Sequence, residues 1–580
     1  MADKFDLLIR GGTVVDGTGA THREADVAIK GGTIAAVGHH LGSAVEEIDA
    51  RGMLVTPGFV DVHTHYDGQA VWDSRMQPSS WHGVTTAVMG NCGVGFAPVR
   101  QGDRQKLIEL MEGIEDIPGA VLHEGLNWNW ESFADYLDTL DKRPRDIDIC
   151  AQLPHGALRV YVMGDRAIRL EEATESDLST MRRLAGEAVR AGAIGFSTSR
   201  TLNHRTLKGD PTPSLRANEA ELMAIAMGLK DAGKGVLEYI SDWNTPDTDT
   251  EFQMVRRLVR ESGRPLSYSL AQRHTVAPDD WRHKLELTQA AAEEGLAIRA
   301  QVAPRPVGVL LSLQGSRNPF VTTAAYREIA MLPLADRVAR MRQPEFRARV
   351  IAQAIELAAS KDPFQRRLSA FDRVFPLGDP PDYEPPLSSS IAAQAAREGR
   401  PAAELAYDLL LEKDGTNFLL APFANYAHGN LDACGDMIDS PHTLLGLGDG
   451  GAHVSIISDA SFPTYLLAHW GRDRSHGRRP VEQLVKKLTA DNARAVGLLD
   501  RGVLAPGMKA DVNVIDFSRL RVETPYMSAD LPAGGQRLLQ PARGYVATIV
   551  SGQVTYRDGV SGTALPGKLV RGPQKSKVTA

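Results

Sequence analysis

Eight short apolar runs, each separated from the next by a stretch of helical patterning, restrict the fold of this chain more than any other feature. They read MLVTPGFVDVH, VTTAVMGN, IDICAQLP, AGAIGFSTS, GVLEYIS, PLSYSLAQ, LAIRAQVAP and TLLGLGDG. Each is dense in Val, Ile and Leu without strict alternation, the pattern of strands covered on both faces. Strands alternating with helices call for a parallel sheet with helical crossovers. Eight of them predict an α/β fold with a (β/α)8 TIM-like barrel. Such barrels carry their chemistry at the carboxyl ends of the strands, so the polar residues that end these runs are the functional candidates.

The two ends of the chain read differently. Between Phe5 and Asp49 the runs DLLIR, TVVDG and ADVAIKGGTIAAVG are short, β-rich and broken by Gly turns, the signature of small antiparallel strands. The same texture returns in GVLAPGMKADVNVIDF (502–517) and YVATIVSGQVTYRDG (545–559). The ends are therefore expected to pair as a small β-sandwich built from residues 1–53 and 501–571, around a barrel over 54–500. A polar tail, 572–580, is expected to fray. Inside the barrel, residues from about 309 to 400 depart from the alternation. YREIAMLPLADRVARM and FRARVIAQAIELAAS pattern as helices and lead into DPPDYEPP, so this stretch reads as a mostly helical insertion over the barrel mouth.

At 580 residues the chain exceeds one ordinary core, which fits a large catalytic domain with a satellite. A net charge of −7, with no stripe of Lys and Arg interleaved with aromatics, gives no footprint for nucleic acid. No uncharged apolar run is long enough for a bilayer, and MADKFDLLIRGG has no apolar signal core, so no membrane association is expected. Three cysteines, Cys92, Cys150 and Cys434, make no disulfide framework and suit a reducing compartment; a cytoplasmic protein is the expectation. There is no GxSxG elbow, no GxxxxGK[ST] loop and no GxGxxG opening a helix, which removes support for a serine hydrolase, an NTPase or a dehydrogenase.

His63 and His65 directly follow the run LVTPGFVDV. In extended backbone, residues two apart point the same way, so both imidazoles can face one ion at the barrel rim. A bare HxH is more often a pair of ordinary strand-end polar residues, and it is Asp449, in the eighth run, that reverses the weighting. A carboxylate ending strand eight would lie beside His63 once the barrel closes, where it can serve as general base in metal-assisted hydrolysis. By itself, an Asp in a Gly-rich turn is as well explained by an Asx hydrogen bond.

With GFVDVHTHYDGQ, GVTTAVMGNCGVGFAPV, AGAIGFSTS and LGLGDGGAH framed by the two β ends and APGMKADVNVID, the chain resembles the amidohydrolase superfamily, and within it the N-acyl-D-amino-acid deacylase (D-aminoacylase) branch. The resemblance covers nearly the whole chain, and the GNCG turn is its most specific element. It implies a zinc-dependent hydrolase of amide bonds, with one or two zinc ions per chain held by His63, His65, Cys92 and Asp449. A small-molecule amide, foremost an N-acyl amino acid, is the implied substrate. Barrels of this class often self-associate, so a homo-oligomer is a further expectation, though no interface residue is legible. A thiolate is a good zinc ligand, and the competing reading of Cys92 is a small buried hydrophobe.

The chain departs from that branch on strands five to seven. Where the branch has histidines in motifs like THxRxE and SHxK, this chain has Glu238, in VLEYISD, and Leu270, in YSLAQ. Glu238 is accordingly expected to replace a metal ligand through oxygen, against a rim ion pair as the plainer role. The SHxK lysine, which holds the substrate carboxylate in the branch, becomes Gln272, and QVAPRP replaces a tyrosine-rich motif on strand seven. Arg305, within APRP, can offer a bidentate partner to a carboxylate, or can be a loop arginine in solvent. The basic loop after strand four presents Arg200, His204, Arg205 and Lys208 as substrate contacts, or as an ordinary solvated loop. His155, in LPHGALR, matches a GHxxxR-like motif and is expected to line the pocket, whereas His428 and His453 read as satisfied loop side chains. These departures leave two rivals to the deacylase: a hydrolase that opens cyclic amides, and a catalytically inactive small-molecule-binding protein on the same fold, which would purify without stoichiometric zinc.

Overall fold

The computed structural model describes residues 4–243, 247–274, 277–358 and 370–576. Every one of the eight apolar runs contains a barrel strand: Phe59–Asp61 (β1), Val84–Met89 (β2), Asp148–Pro154 (β3), Gly195–Arg200 (β4), Val236–Ser241 (β5), Leu266–Ser269 (β6), Ile298–Val302 (β7) and Thr443–Leu445 (β8). Neighbours pair in parallel from β1 through to β8. The remaining edge closes beyond the strand ends. Thr64 bridges Gly450 in the parallel sense. The His65 N–H donates to the Gly450 carbonyl at 2.7 Å and the Asp449 N–H to the His63 carbonyl at 3.1 Å. The residues that complete the barrel are thus the ones that carry the candidate donors.

The chain ends meet in one continuous nine-stranded sheet with its own core of Leu7, Ile9, Val27, Ile29, Val512, Val514 and Ile549. Its centre is Leu54–Pro57, paired in parallel with Phe5–Val14 and antiparallel with Val512–Ile515. The first apolar run is therefore split between two sheets, and the barrel begins at Phe59 rather than at residue 54. The step between them is made at Gly58, where a Cβ would stand 2.2 Å from the Thr85 hydroxyl oxygen; only glycine permits so close an approach.

The C-terminal segment is likewise shared. Arg521–Val522 with Ala542–Arg543, and Tyr526–Ser528 with Arg537–Leu539, form two ribbons apart from the nine-stranded sheet. The tail is tied down as far as Gln574, whose N–H donates to the Gly497 carbonyl at 2.9 Å; residues 577–580 lie outside the described residues.

Between β7 and β8 the chain leaves the barrel through Val307–Leu311 and returns through the antiparallel Leu419–Ala424, to which Phe375–Pro376 adds. The helices Leu334–Met341, Pro344–Ala358, Ile391–Glu398 and Ala402–Leu411 pack on this small sheet around a separate core that includes Leu311, Phe320, Tyr326, Phe346, Val350 and Tyr407. Residues 359–369 of this insertion fall outside the described residues. Among the described residues no helix is long and apolar enough to cross a membrane.

Candidate metal centre

His63 and His65 leave the end of β1 on the same side, with ring centroids 5.4 Å apart and only 1% of each residue exposed. Cys92 comes from the turn after β2, which local chemistry shapes tightly. Asp67 accepts the Gly90 N–H at 2.9 Å, the Asn91 amide donates to the Thr64 and Val88 carbonyls, and the Ser197 hydroxyl oxygen accepts the Gly93 N–H. A Cβ on Gly90 would lie 2.6 Å from the Gln152 carbonyl oxygen. Cys92 itself has φ +56°, Asp449 φ +46° and His453 φ +48°. Left-handed backbone at non-glycine residues costs on the order of 1–2 kcal/mol each and gathers at functional sites.

The donor atoms converge. The Cys92 Sγ is 3.3 Å from His63 Nε2 and 3.7 Å from His65 Nε2. Asp449 Oδ1 is 3.4 Å and 3.7 Å from the same two nitrogens. Bonds of about 2.0–2.3 Å arranged tetrahedrally put neighbouring N, S and O ligands roughly 3.3–3.8 Å apart, so His63, His65 and Cys92 fit a zinc-sized ion, with Asp449 set against both imidazoles. Two nitrogens, a sulfur and a carboxylate are also zinc's preferred donors. Each imidazole is turned by its other nitrogen: His63 Nδ1 lies 2.6 Å from Gln301 Oε1, and His65 Nδ1 lies 3.3 Å from Glu115 Oε1. Both Nε2 atoms thereby face the donor cluster, the usual device for orienting ligating histidines.

Electrostatics point the same way. Burial lowers His63 to about 4, so it is neutral and able to ligate. Burial would also lower His65, but Glu115 and Asp449 outweigh it and hold the ring up at about 9. Burial would raise Asp449, but the hydrogen bond and charge of His65 prevail and hold it well below the carboxylate range. Burial, then the charges of Glu238, Glu115 and Asp449, push the Cys92 thiol far up. Buried Glu115 has no hydrogen-bond partner on either oxygen, and Asp61 Oδ2 and Glu238 Oε1 have none either. A surplus of buried acceptors around two imidazoles and a thiol is the environment a cation stabilises.

Strands four to seven present a contrast. Glu238 reaches the back of the site, where its Oε2 accepts the Cys92 N–H at 3.1 Å. It is not a member of the His63, His65 and Cys92 group, whose donor atoms lie within 4.8 Å of one another; the carboxylate braces the cysteine turn from behind. His155 does not line the pocket. It is fully buried, with Nδ1 on the Thr198 hydroxyl at 2.7 Å and Nε2 on Glu221 at 2.8 Å, so both nitrogens are spent. Arg200 is held by the Tyr239 hydroxyl and Glu251. Gln272 accepts the Ala427 N–H, and its own N–H donates to Asn425, fixing the loop that follows Leu419–Ala424. Arg305 is neither in solvent nor open to a substrate. It is 1% exposed, lies 3.5 Å over the Tyr383 ring and donates to Ser458, Asp459 and Ser461. Within the predicted loop, Arg205 donates to backbone carbonyls and Lys208 to Glu109, leaving His204 as the member that turns inward.

His204 Nδ1 meets the Ser199 hydroxyl at 2.9 Å, and burial, followed by the charges of His453 and His65, lowers its ring to about 3. The sequence marks His453 as an ordinary loop histidine. It stands at the mouth instead, 3.7 Å from Glu115, and its charge is felt by Asp449. Glu115 and Gln301 also escaped the sequence reading, although each had a signal. Glu115 follows Leu107, Ile108 and Met111 on the buried face of the helix Arg104–Glu115, in the last turn, where the helix dipole disfavours an acid. Gln301 stands between Ala300 and Val302 in β7.

Imidazole, thiol and carboxylate donors gathered where β1, β2 and β8 end are a set that could hold a metal ion, in a barrel of the metal-dependent hydrolase type. The chain belongs to the amidohydrolase family, whose model matches residues 46–556. It is 35% identical over 230 residues to D-aminoacylase of Alcaligenes xylosoxydans xylosoxydans, an alignment spanning 40% of this chain and 43% of that relative. A solved D-aminoacylase, described with a binuclear metal centre, is 25% identical with a TM-score of 0.64, covering 98% of this chain and 99% of the other. The N-acyl-D-glutamate deacylase of Bordetella bronchiseptica, solved with zinc and a phosphonate inhibitor, shares the fold at 23% identity, a TM-score of 0.64 and 98% and 100% coverage.

Proposed function

We propose that this amidohydrolase is a zinc enzyme that hydrolyses the amide bond of N-acyl amino acids or related small amides. The observation that carries the reading is the cluster of His63, His65 and Cys92 donor atoms at the closing edge of the barrel, with Asp449 against both imidazoles. The D-aminoacylase likeness supports the substrate class. Those four residues would hold the ion. Zinc bound there supplies Lewis acidity, which polarises a carbonyl and makes water nucleophilic near neutral pH. Asp449, kept ionised by its hydrogen bond with His65 and 16% exposed at its side chain, accepts the proton of the attacking water and returns it to the departing amine nitrogen. Gln301 and Glu115 keep both Nε2 atoms aimed inward throughout. His204 and His453 line the approach and are the side chains available to substrate oxygens.

One observation favours a second reading, the opening of a cyclic amide. A free substrate carboxylate ordinarily meets an arginine or lysine, yet Arg200 and Arg305 are committed to Glu251 and Asp459. The experiment is metal analysis of wild type and Cys92→Ala, with N-acyl D- and L-amino acids and cyclic amides assayed on the same samples. The proposal expects about one or two zinc per chain, loss of metal in the variant, and release of free amine from the acyl compounds. Stoichiometric zinc with turnover of the cyclic amides alone selects the second reading. A metal-free, inactive wild type that zinc does not activate overturns both.

A further inference from the structure

Parallel eight-stranded barrels ordinarily fill their interior with layers of branched apolar side chains. This one does not. The side chains of Gln152 on β3, Glu238 on β5, Ser267 on β6 and Gln301 on β7 line a cavity of about 260 Å³, with Arg299 and Arg494 also on its wall. Val236 opens β5, Pro265 and Ala297 immediately precede β6 and β7, and all three line it too, so the cavity runs up from the strand-N-terminal end, opposite the mouth. Exposure falls along it: Ala297, Arg299 and Arg494 are exposed, Val236 and Ser267 are half-buried, and Glu238, Gln301 and Gln152 are buried. Ser267 sits in the middle of a sheet, paired on both sides, where a half-buried residue means that solvent reaches the lumen.

The inner end is the underside of the metal centre. Gln301 touches His63 Nδ1, Glu238 holds the Cys92 N–H, and the Gln152 amide donates to Asn91 in the cysteine turn. Glu238 Oε1 and Gln152 Oε1, both buried, have no protein partner. Two unpaired acceptors facing one cavity require donors, and water is the ordinary occupant of a polar cavity of this size, at about 30 Å³ per molecule.

We propose that the barrel lumen is a water-filled rear passage from the strand-N-terminal end to the floor of the metal centre, its inner waters donating to Glu238 Oε1 and Gln152 Oε1. Water then reaches the floor of the site while a substrate occupies the mouth. The passage stands on the cavity and its unpaired oxygens, independently of which amide is cleaved.

Two measurements on the metal-loaded enzyme decide it. A crystal structure that resolves waters is expected to show them hydrogen-bonded to both oxygens and continuing to Arg494; a dry lumen, or waters confined to the outer end, overturns the passage. In solution, Ser267→Cys is expected to react with a small aqueous methanethiosulfonate, read by intact mass, while the three buried native cysteines stay unmodified. Adding Ala297→Trp, a plug at the rear opening, is expected to abolish that labelling. Labelling that survives the plug shows entry from the front and overturns the rear route. Should Ser267→Cys fail to fold, the wild-type crystal decides alone.

Discussion

The two sides of the barrel mouth are built from similar polar residues and behave in opposite ways. Where β1, β2 and β8 end, His63, His65, Cys92 and Asp449 lie against one another, with buried Glu115 behind them facing His65 but accepting no hydrogen bond on either oxygen. Across β3 to β7, His155, Arg200 and Arg305 are each met by a carboxylate: Glu221, Glu251 and Asp459. A buried polar group must find its partner either in the protein or in a ligand. The paired side is therefore scaffold, and the converging side is where a ligand completes the structure. Substitutions on the converging side should cost activity and those on the paired side stability.

The largest effect is expected at Asp449. Asp449→Asn keeps the shape and removes the base, and kcat on the amide panel should fall at least about a hundredfold. Metal content measured on the same preparation separates loss of the base from loss of the ion. Near-wild-type kcat with full metal would remove Asp449 from the chemistry and break the comparison at its centre.

Glu115→Gln should follow. The carboxylate that faces His65 Nδ1 becomes an amide, a weaker acceptor, and partners of this kind typically govern metal affinity by roughly 10–100-fold. The readout is the dissociation constant from metal titration of the apo protein, with restoration expected in Glu115→Asp if the carboxylate reaches. An unchanged constant would make Glu115 a mere buried acid.

How far the sequence reached divides along the same line. All eight strands were legible because runs buried on both faces are compositionally distinct; His63, His65 and Asp449 stood out as candidates because they lie at the ends of such runs, and Cys92 through the resemblance of its GNCG turn. The split of the first run at Gly58 was not legible, since the apolar pattern continues unbroken through Leu54–Pro57 and Phe59–Asp61 while the sheet partner changes. The paired side was misread for a physical reason as well. A histidine or arginine at a strand end looks the same in sequence whether a distant acid neutralises it or not, and Glu221, Glu251 and Asp459 lie 66, 51 and 154 residues from their partners. His453 was undervalued because its role depends on Glu115, more than half the chain away.

The smallest effect on activity, and a distinct one on stability, is expected at Glu384 in the loop DPPDYEPP. Its carboxylate accepts Arg474 through two nitrogens at 2.9 and 2.8 Å, His469 at 2.6 Å and the Leu431 N–H at 3.0 Å, pinning the insertion to the helical turn Leu466–Asp473 after β8. Burial alone would raise this acid, but the hydrogen bonds from His469 and Arg474 prevail and hold it at about 2. A carboxyl depressed on folding stabilises the folded state above its unfolded value near 4.5 and loses that contribution as pH falls toward 2, amounting here to about 2–3 kcal/mol at neutral pH. Glu384→Gln should therefore melt below wild type at pH 7, with roughly a third to a half of the gap gone by pH 3.5. Its kcat on the amide panel should stay unchanged. A melting gap that is constant with pH would show that the side chain acts by packing, and a fall in kcat without a fall in melting temperature would place Glu384 on the converging side and dissolve the division drawn above.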